Sequence, residues 1–316
     1  MTTTETAPIR IGTRRSALAM AQTGVVADQI ARASGREVEL VQITTEGDIS
    51  RESLASLGGT GVFASALREA LLIDECDLVV HSLKDLPTTP VPGLRIGAIP
   101  KRADARDVLV TQGGLTLTTL PDGARVGTGS PRRAAQLLAA RSDLEIIDIR
   151  GNVDTRVGRV TESDLDAVVL AAAGLSRLGR LEIVSQYLEL SEWPTAPGQG
   201  ALAVEVRDST SRGIDEALRT LDHASSRLTA GAERAVLARL EAGCAAPVGA
   251  TAVVDTSLLL LTATVLSPDG RQTLTSSHAG VLEGSPAERD ALAAELGARV
   301  ADELLDQGAA EFAPLT

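Results

Sequence analysis

Two stretches of this chain place a Gly-Thr turn before paired arginines and a serine. Ile9-Arg10-Ile11-Gly12-Thr13-Arg14-Arg15-Ser16 is the first, and Arg125-Val126-Gly127-Thr128-Gly129-Ser130-Pro131-Arg132-Arg133 is the second. Each reads as a strand that leads through its turn into a helix, with Ser130 and Pro131 suited to the N-cap and first helical positions. The free N–H groups and dipole of a helix start favour anions, and a guanidinium adds a planar fork that matches carboxylate or phosphate. Arg150-Gly151-Asn152-Val153-Asp154-Thr155-Arg156 would set two more forks about the opening turns of one helix, and Arg177 lies close to another strand end. Spacing alone leaves two readings of this set: an anion site, or surface salt bridges with the many acids. A P-loop is disfavoured, since no glycine is followed at the required spacing by Gly-Lys-Ser or Gly-Lys-Thr.

His81-Ser82-Leu83-Lys84-Asp85 leaves the apolar run Leu78-Val79-Val80 and delivers a base, a hydroxyl, a cation and a carboxylate at a strand exit. Asp85 has a plain reading as a loop carboxylate beside Lys84, and a chemical one as an anion or proton donor in a cleft. Cys244 follows a helical pattern and sits among very small side chains, which leave room for a bulky group on its sulfur. A buried cysteine of this kind also serves as an inert small hydrophobe, the reading given to Cys76. With three histidines far apart and no Cys-x-x-Cys, a metal site is not expected.

Composition narrows the class. The net charge of −12 opposes a general nucleic-acid or anionic-membrane binder. Aromatics at 1% oppose base stacking on single strands. The charge does not oppose a local anion site, because screening over about 8 Å lets an arginine cluster dominate its surroundings. Two cysteines cannot supply a disulfide framework for 316 residues. Met1 to Arg10 lacks the basic and apolar run of a signal peptide, and no apolar stretch reaches the length of a membrane span. The expectation is a soluble protein of the cytoplasm.

The elements that must position these residues follow from periodicity. Short β-branched runs at 9–12, 38–43, 77–81, 94–99, 107–110, 125–128, 145–149 and 166–170 read as strands. Helical stripes fall at 16–32, 62–73 and 131–141, and the alternation implies parallel sheets covered on both faces. The two Gly-Thr repeats indicate two similar α/β domains, each binding ligand at strand carboxyl ends. After about Arg207 the texture changes to helices at 214–221 and 227–240, strands at 251–254, 258–265 and 272–276, and a last helix at 286–307. That order suggests an α+β domain with an antiparallel sheet.

Taken together, the segments resemble the porphobilinogen deaminase family over essentially the whole chain. The matching pieces are Ile11 to Ala19 with Gln22, Gly58-Gly59-Thr60-Gly61-Val62-Phe63, His81 to Pro87, Arg102 to Asp107, and Val126 to Arg133. They continue with Arg150 to Val153 and Arg156, Ala171 to Arg177, Ala196 to Ala201, and Leu240 to Cys244. The resemblance implies two periplasmic-binding-protein-like doubly wound domains, 1–104 with 200–222 and 105–199, plus a C-terminal α+β domain at 223–316. It implies a monomer that joins four porphobilinogen molecules head to tail with loss of ammonia, then hydrolyses off hydroxymethylbilane.

It implies further that Cys244 holds a dipyrromethane cofactor through a thioether, and that a buried Asp85 is the catalytic carboxylate. Ser82, Lys84, Asp85, Thr128, Ser130, Arg132, Arg133, Arg150 and Gly151 would surround the cofactor. Arg14, Ser16, Gln22, Arg150, Arg156, Arg177 and Gln199 would meet the acetate and propionate arms of the substrate, the two glutamines in supporting roles. The chain departs from the family pattern at Thr60, where many relatives carry lysine, and at Gly129, where a serine hydroxyl is common. The rival function is a non-catalytic two-lobed binding protein for a small polycarboxylate, since a fold does not fix a function.

Overall fold

The computed structural model describes residues 7–44, 62–243 and 246–315; Cys244 and the glycine-rich loop with Thr60 lie outside the described residues. Two compact units divide the chain, residues 1–103 with 201–227 and residues 104–200 with 228–316. The segment from Leu228 onward, expected as part of a separate domain, falls within the second unit.

In the first unit, β1 (Ile9–Arg14) buries Ile9 and Ile11 against Val26 and Ile30 of α1 (Ala17–Ser34). Ser16 caps that helix, its Oγ accepting from the Ala19 N–H at 3.2 Å. β2 (Val38–Ile43), α2 (Val62–Leu72), β3 (Leu78–Ser82) and β4 (Leu94–Ala98) follow. A later strand, β10 (Leu202–Arg207), completes a sheet of order β2-β1-β3-β10-β4. The second unit repeats this plan with β5 (Asp107–Thr111), β6 (Arg125–Gly127), β7 (Glu145–Ile147), β8 (Ala167–Ala171) and β9 (Gln186–Leu188), in the order β7-β6-β8-β5-β9.

Neither sheet is wholly parallel, as the alternation had implied. β1 runs parallel to β2 and β3, and β6 to β7 and β8, but β10 is antiparallel to both its neighbours and so is β5. A parallel neighbour requires a crossover, usually through a helix. β5 and β10 are instead the strands by which the chain enters a sheet from the other unit, β5 after β4 and β10 after β9, and each runs antiparallel to its neighbours there. β9 and β10 escaped the pattern reading for different reasons. β9 is three residues long, and β10 is buried on both faces, which removes alternation.

Beyond α6 (Arg212–Leu221) and α7 (Ala224–Arg239), the strands β11 (Val248–Asp255), β12 (Leu258–Leu266) and β13 (Thr273–Val281) form the expected antiparallel sheet. α8 (Pro286–Asp306) covers it, packing Leu296, Val300 and Leu304 with Leu259 and Leu261. Its start carries a capping box, Ser285 with Glu288.

Candidate active site

In the first unit the carboxyl ends of adjacent parallel strands β1 and β3 bring Arg14 and Ser16 to the same sheet edge as Ser82, Lys84 and Asp85. Directly after β3 the chain makes one tight turn, Leu83–Asp85, closed by the Leu86 N–H donating to the Leu83 carbonyl at 3.2 Å. The Leu83 N–H donates to the Ala201 carbonyl at 3.0 Å. Leu83 and Leu86 are buried, which pins the turn from below and turns Asp85 outward. Asp85 is therefore exposed, a correction to the buried carboxylate expected there. Gln22 is buried on α1. Behind this edge His81, read from sequence as a base at the strand exit, is buried and shares the buried Glu205 carboxylate with Arg68, the His81 Nε2 lying 3.1 Å from it.

In the second unit the parallel trio β7, β6 and β8 sends three loops to one edge. The β6 loop carries Thr128 and Ser130, whose Oγ accepts from the Arg133 N–H at the start of α3 (Pro131–Ala140). Pro131 takes the first helical position as read from sequence. At Gly129 a Cβ would stand 2.6 Å from the Ile149 carbonyl oxygen, so glycine is what lets these two loops approach. The hydroxyl usual in the family has no room in this backbone.

The β7 loop carries Arg150 and Gly151, the latter at φ +101°, before Asn152 caps α4 (Val153–Thr161) by accepting from the Thr155 N–H at 2.9 Å. Arg156 donates from Nε to the Gly151 carbonyl at 2.9 Å. Arg177 ends α5 (Ala172–Arg177), after β8, and donates from Nη2 to the Gly200 carbonyl at 2.7 Å.

Arg132 and Arg133 differ from the other three. They are only 3% and 6% exposed, and both close on Asp107, at 2.8 and 2.6 Å. The same carboxylate accepts from Trp193 Nε1 at 3.0 Å and from Gln199 Nε2 at 2.8 Å. Burial alone would raise the Asp107 pKa, yet the charges of Arg133 and Arg132 outweigh it and hold the carboxyl well below the usual range. Gln199 is fully buried and also donates to the Ala105 carbonyl, so it braces Asp107 from within.

Asp107 and Trp193 are the residues that sequence reasoning passed over. A carboxylate opening the apolar run Val108-Leu109-Val110 was the available signal. Its location follows from the inverted strand: β5 is antiparallel to β8, so its first residue lies opposite Ala171 at the arginine edge.

Among the described residues, the edge carries more positive charge than the acids beside it cancel. Arg156 has its pKa lowered by burial and then by the neighbouring charges of Arg133 and Arg150. Burial alone lowers Arg177 to about 10. Among the described residues, Arg150 has only Asp148, 3.8 Å away and mostly exposed, as an acidic partner. The Nε atoms of Arg132, Arg133 and Arg150 are buried with no hydrogen-bond partner among the described residues. Unspent guanidinium donors of this kind suit a ligand bearing several carboxylates.

One sheet edge of this α/β protein offers an exposed carboxylate and another gathers five arginines, chemistry of the class suited to small polycarboxylates. The particular family follows from comparison with known proteins. Residues 9–215 match the model of the porphobilinogen deaminase dipyrromethane cofactor-binding domain, and residues 227–306 match that of the porphobilinogen deaminase C-terminal domain. The chain is 62% identical over 311 residues to the porphobilinogen deaminase of Leifsonia xyli, spanning 97% of this chain and 94% of the relative. It is 53% identical over 325 residues to that of Cutibacterium acnes, spanning 97% of each.

The chain belongs to the porphobilinogen deaminase family, whose members are transferases of tetrapyrrole synthesis. The binding-protein alternative is not favoured. Among solved structures, the Lactococcus lactis GlnP substrate binding domain 2 aligns with a TM-score of 0.44 at 10% identity, covering 70% of this chain and 89% of that one. Among the described residues no helix is long and apolar enough to cross a membrane.

Proposed function

We propose that the residues described above divide the family's reaction between a charge-holding edge and a proton-handling edge. The observation that carries this reading is the gathering of Arg132, Arg133, Arg150, Arg156 and Arg177 at one sheet edge, where the Nε atoms of Arg132, Arg133 and Arg150 make no hydrogen bond among the described residues. Their chemistry fits the carboxylate arms of a dipyrromethane, with Thr128, Ser130 and Gly151 lining the same loops. When bound through Cys244, the cofactor supplies the pyrrole carbon to which porphobilinogen units are joined. Arg150, Arg156 and Arg177, on the second unit's edge, bind acetate and propionate arms of the substrate, and Arg14 and Ser16, on the first unit's edge, have the same carboxylate-binding chemistry. Gln22 and Gln199 support them from the interior.

Asp85 supplies the anion. Its carboxylate stabilises positive charge that develops as ammonia departs from the substrate, and it moves protons to and from the ring nitrogens and the leaving amine. Lys84 and Ser82, on the same turn, set the local charge and hydrogen bonding around it. We infer three domains, 1–104 with 200–222, 105–199 and 223–316, in a cytoplasmic monomer. The grouping of hydrophobic cores supports the partition: two clusters pack on each five-stranded sheet, and a separate one lies under the C-terminal sheet.

Intact mass tests the reading. Protein made in a cell that supplies porphobilinogen should carry the mass of two linked pyrroles, and Cys244→Ala should carry none. A wild-type mass equal to the bare sequence would overturn the assignment.

A further inference from the structure

The geometry points to Asp107 as a positioning residue for the carboxylate-binding arginines, coupled through the strap Trp193-Pro194-Thr195 to the sheet that follows Cys244. This rests on the arginine roles proposed above. Asp107 touches no exposed surface and is clamped by four side chains, so it cannot meet substrate itself. What it does is set two guanidiniums. It takes one Nη2 from each of Arg132 and Arg133 and leaves both Nε atoms unspent. One carboxylate against two guanidiniums leaves the trio a single net positive charge, which is the charge that can draw in an anionic arm.

The strap carries the connection further. The Pro194 carbonyl accepts from Arg132 Nη1 at 3.1 Å, while Trp193, the preceding residue, donates to Asp107. Thr195, the next residue, joins β11: its carbonyl accepts from the Ala250 N–H at 2.9 Å. A Cβ at Gly249 would lie 2.6 Å from the Pro194 oxygen, so strap and strand are in direct contact. β11 begins at Val248, shortly after Cys244 in sequence. The cluster thus ties the arginine pair to the strand that leaves the cofactor-bearing segment.

Asp107→Asn and Trp193→Phe separate this role from simple folding. Trp193→Phe removes one hydrogen bond to Asp107 and part of a buried ring without changing any charge, and its melting temperature checks that the protein is folded. Its KM for porphobilinogen should rise about two- to tenfold with kcat little changed, the size of one hydrogen bond. Asp107→Asn should lower the fraction of folded protein that carries the adduct, read by intact mass. Trp193 is the only tryptophan, and its emission is a direct reporter. Wild-type emission should change when porphobilinogen is added, and the change should vanish in folded Asp107→Asn. Wild-type KM in Trp193→Phe, together with wild-type adduct fraction and emission response in Asp107→Asn, would overturn the proposal. So would losses that follow melting temperature alone. A wild-type protein without adduct would instead sink the functional reading on which the inference stands.

Discussion

The two five-stranded sheets share one strand order, yet their inverted strands begin with opposite chemistry. β5 opens with Asp107, opposite the last residue of β8; β10 opens with Leu202, opposite Ser82, the last residue of β3. In the second unit, therefore, a carboxylate is built into the wall of the ligand edge and holds two arginines inside it. In the first unit the equivalent place is apolar, and Asp85, the acid at the β3 exit among the described residues, is carried outward on a turn. The same topology thus makes one edge that stores cations and one that presents an anion. A single position in the inverted strand separates the two.

The most severe way to test this division is to remove the outward anion. Asp85→Asn should keep the fold and the adduct while turnover falls by about two to four orders of magnitude, the range for loss of a general acid or base. Near-normal turnover in a steady-state assay would collapse the contrast. Arg132→Leu probes the other edge. Breaking a buried ion pair by deleting one partner costs about 3–5 kcal/mol, so urea denaturation should report a large loss of stability. Arg156→Leu, with no buried acid to abandon, should leave stability near wild type and raise KM instead. Equal destabilisation by both would show that the buried and half-buried arginines do not differ in kind.

Acid sharpens the comparison further. Asp107 has a folded pKa depressed below its ordinary 3.8, so its contribution is present above that pH and is lost as pH falls toward the folded value. The difference in urea stability between wild type and Asp107→Asn should therefore be constant above about pH 5 and shrink below 3.8. A difference independent of pH would break the assignment. The smallest effect is expected at the cap: Ser130→Ala should cost about 1 kcal/mol, read from the thermal midpoint, with the adduct retained.

Much of the fold was legible because its signals are local. The Gly-Thr turns, Ser16 and Ser130 as caps, and the β-branched runs each act over a few residues, and the elements formed there. Strand direction was not legible, since nothing inside Leu202–Arg207 records which way its neighbours run. The arginine loops were visible as a set because all three leave parallel strands at one edge. The counter-ion was not, because Asp107 lies 25 residues before Arg132 and meets it only through the sheet register. Exposure of Asp85 depends on Leu83 and Leu86 both facing inward, a property of one short turn rather than of composition.

The late arrival of β10 also constrains how the molecule is made. Within the described residues β4 pairs with no strand except β10, and β3 has β10 on its open side. On the ribosome, everything through residue 200 must emerge before that gap can be filled. Until then the nascent chain carries one unpaired edge and one orphan strand, the features that invite wrong pairing. A fragment ending near residue 103 would carry that vacancy permanently and should be prone to aggregate; sequence-contiguous halves are poor units for expression, and any split of this protein has to keep residues 201–207 with the amino-terminal piece.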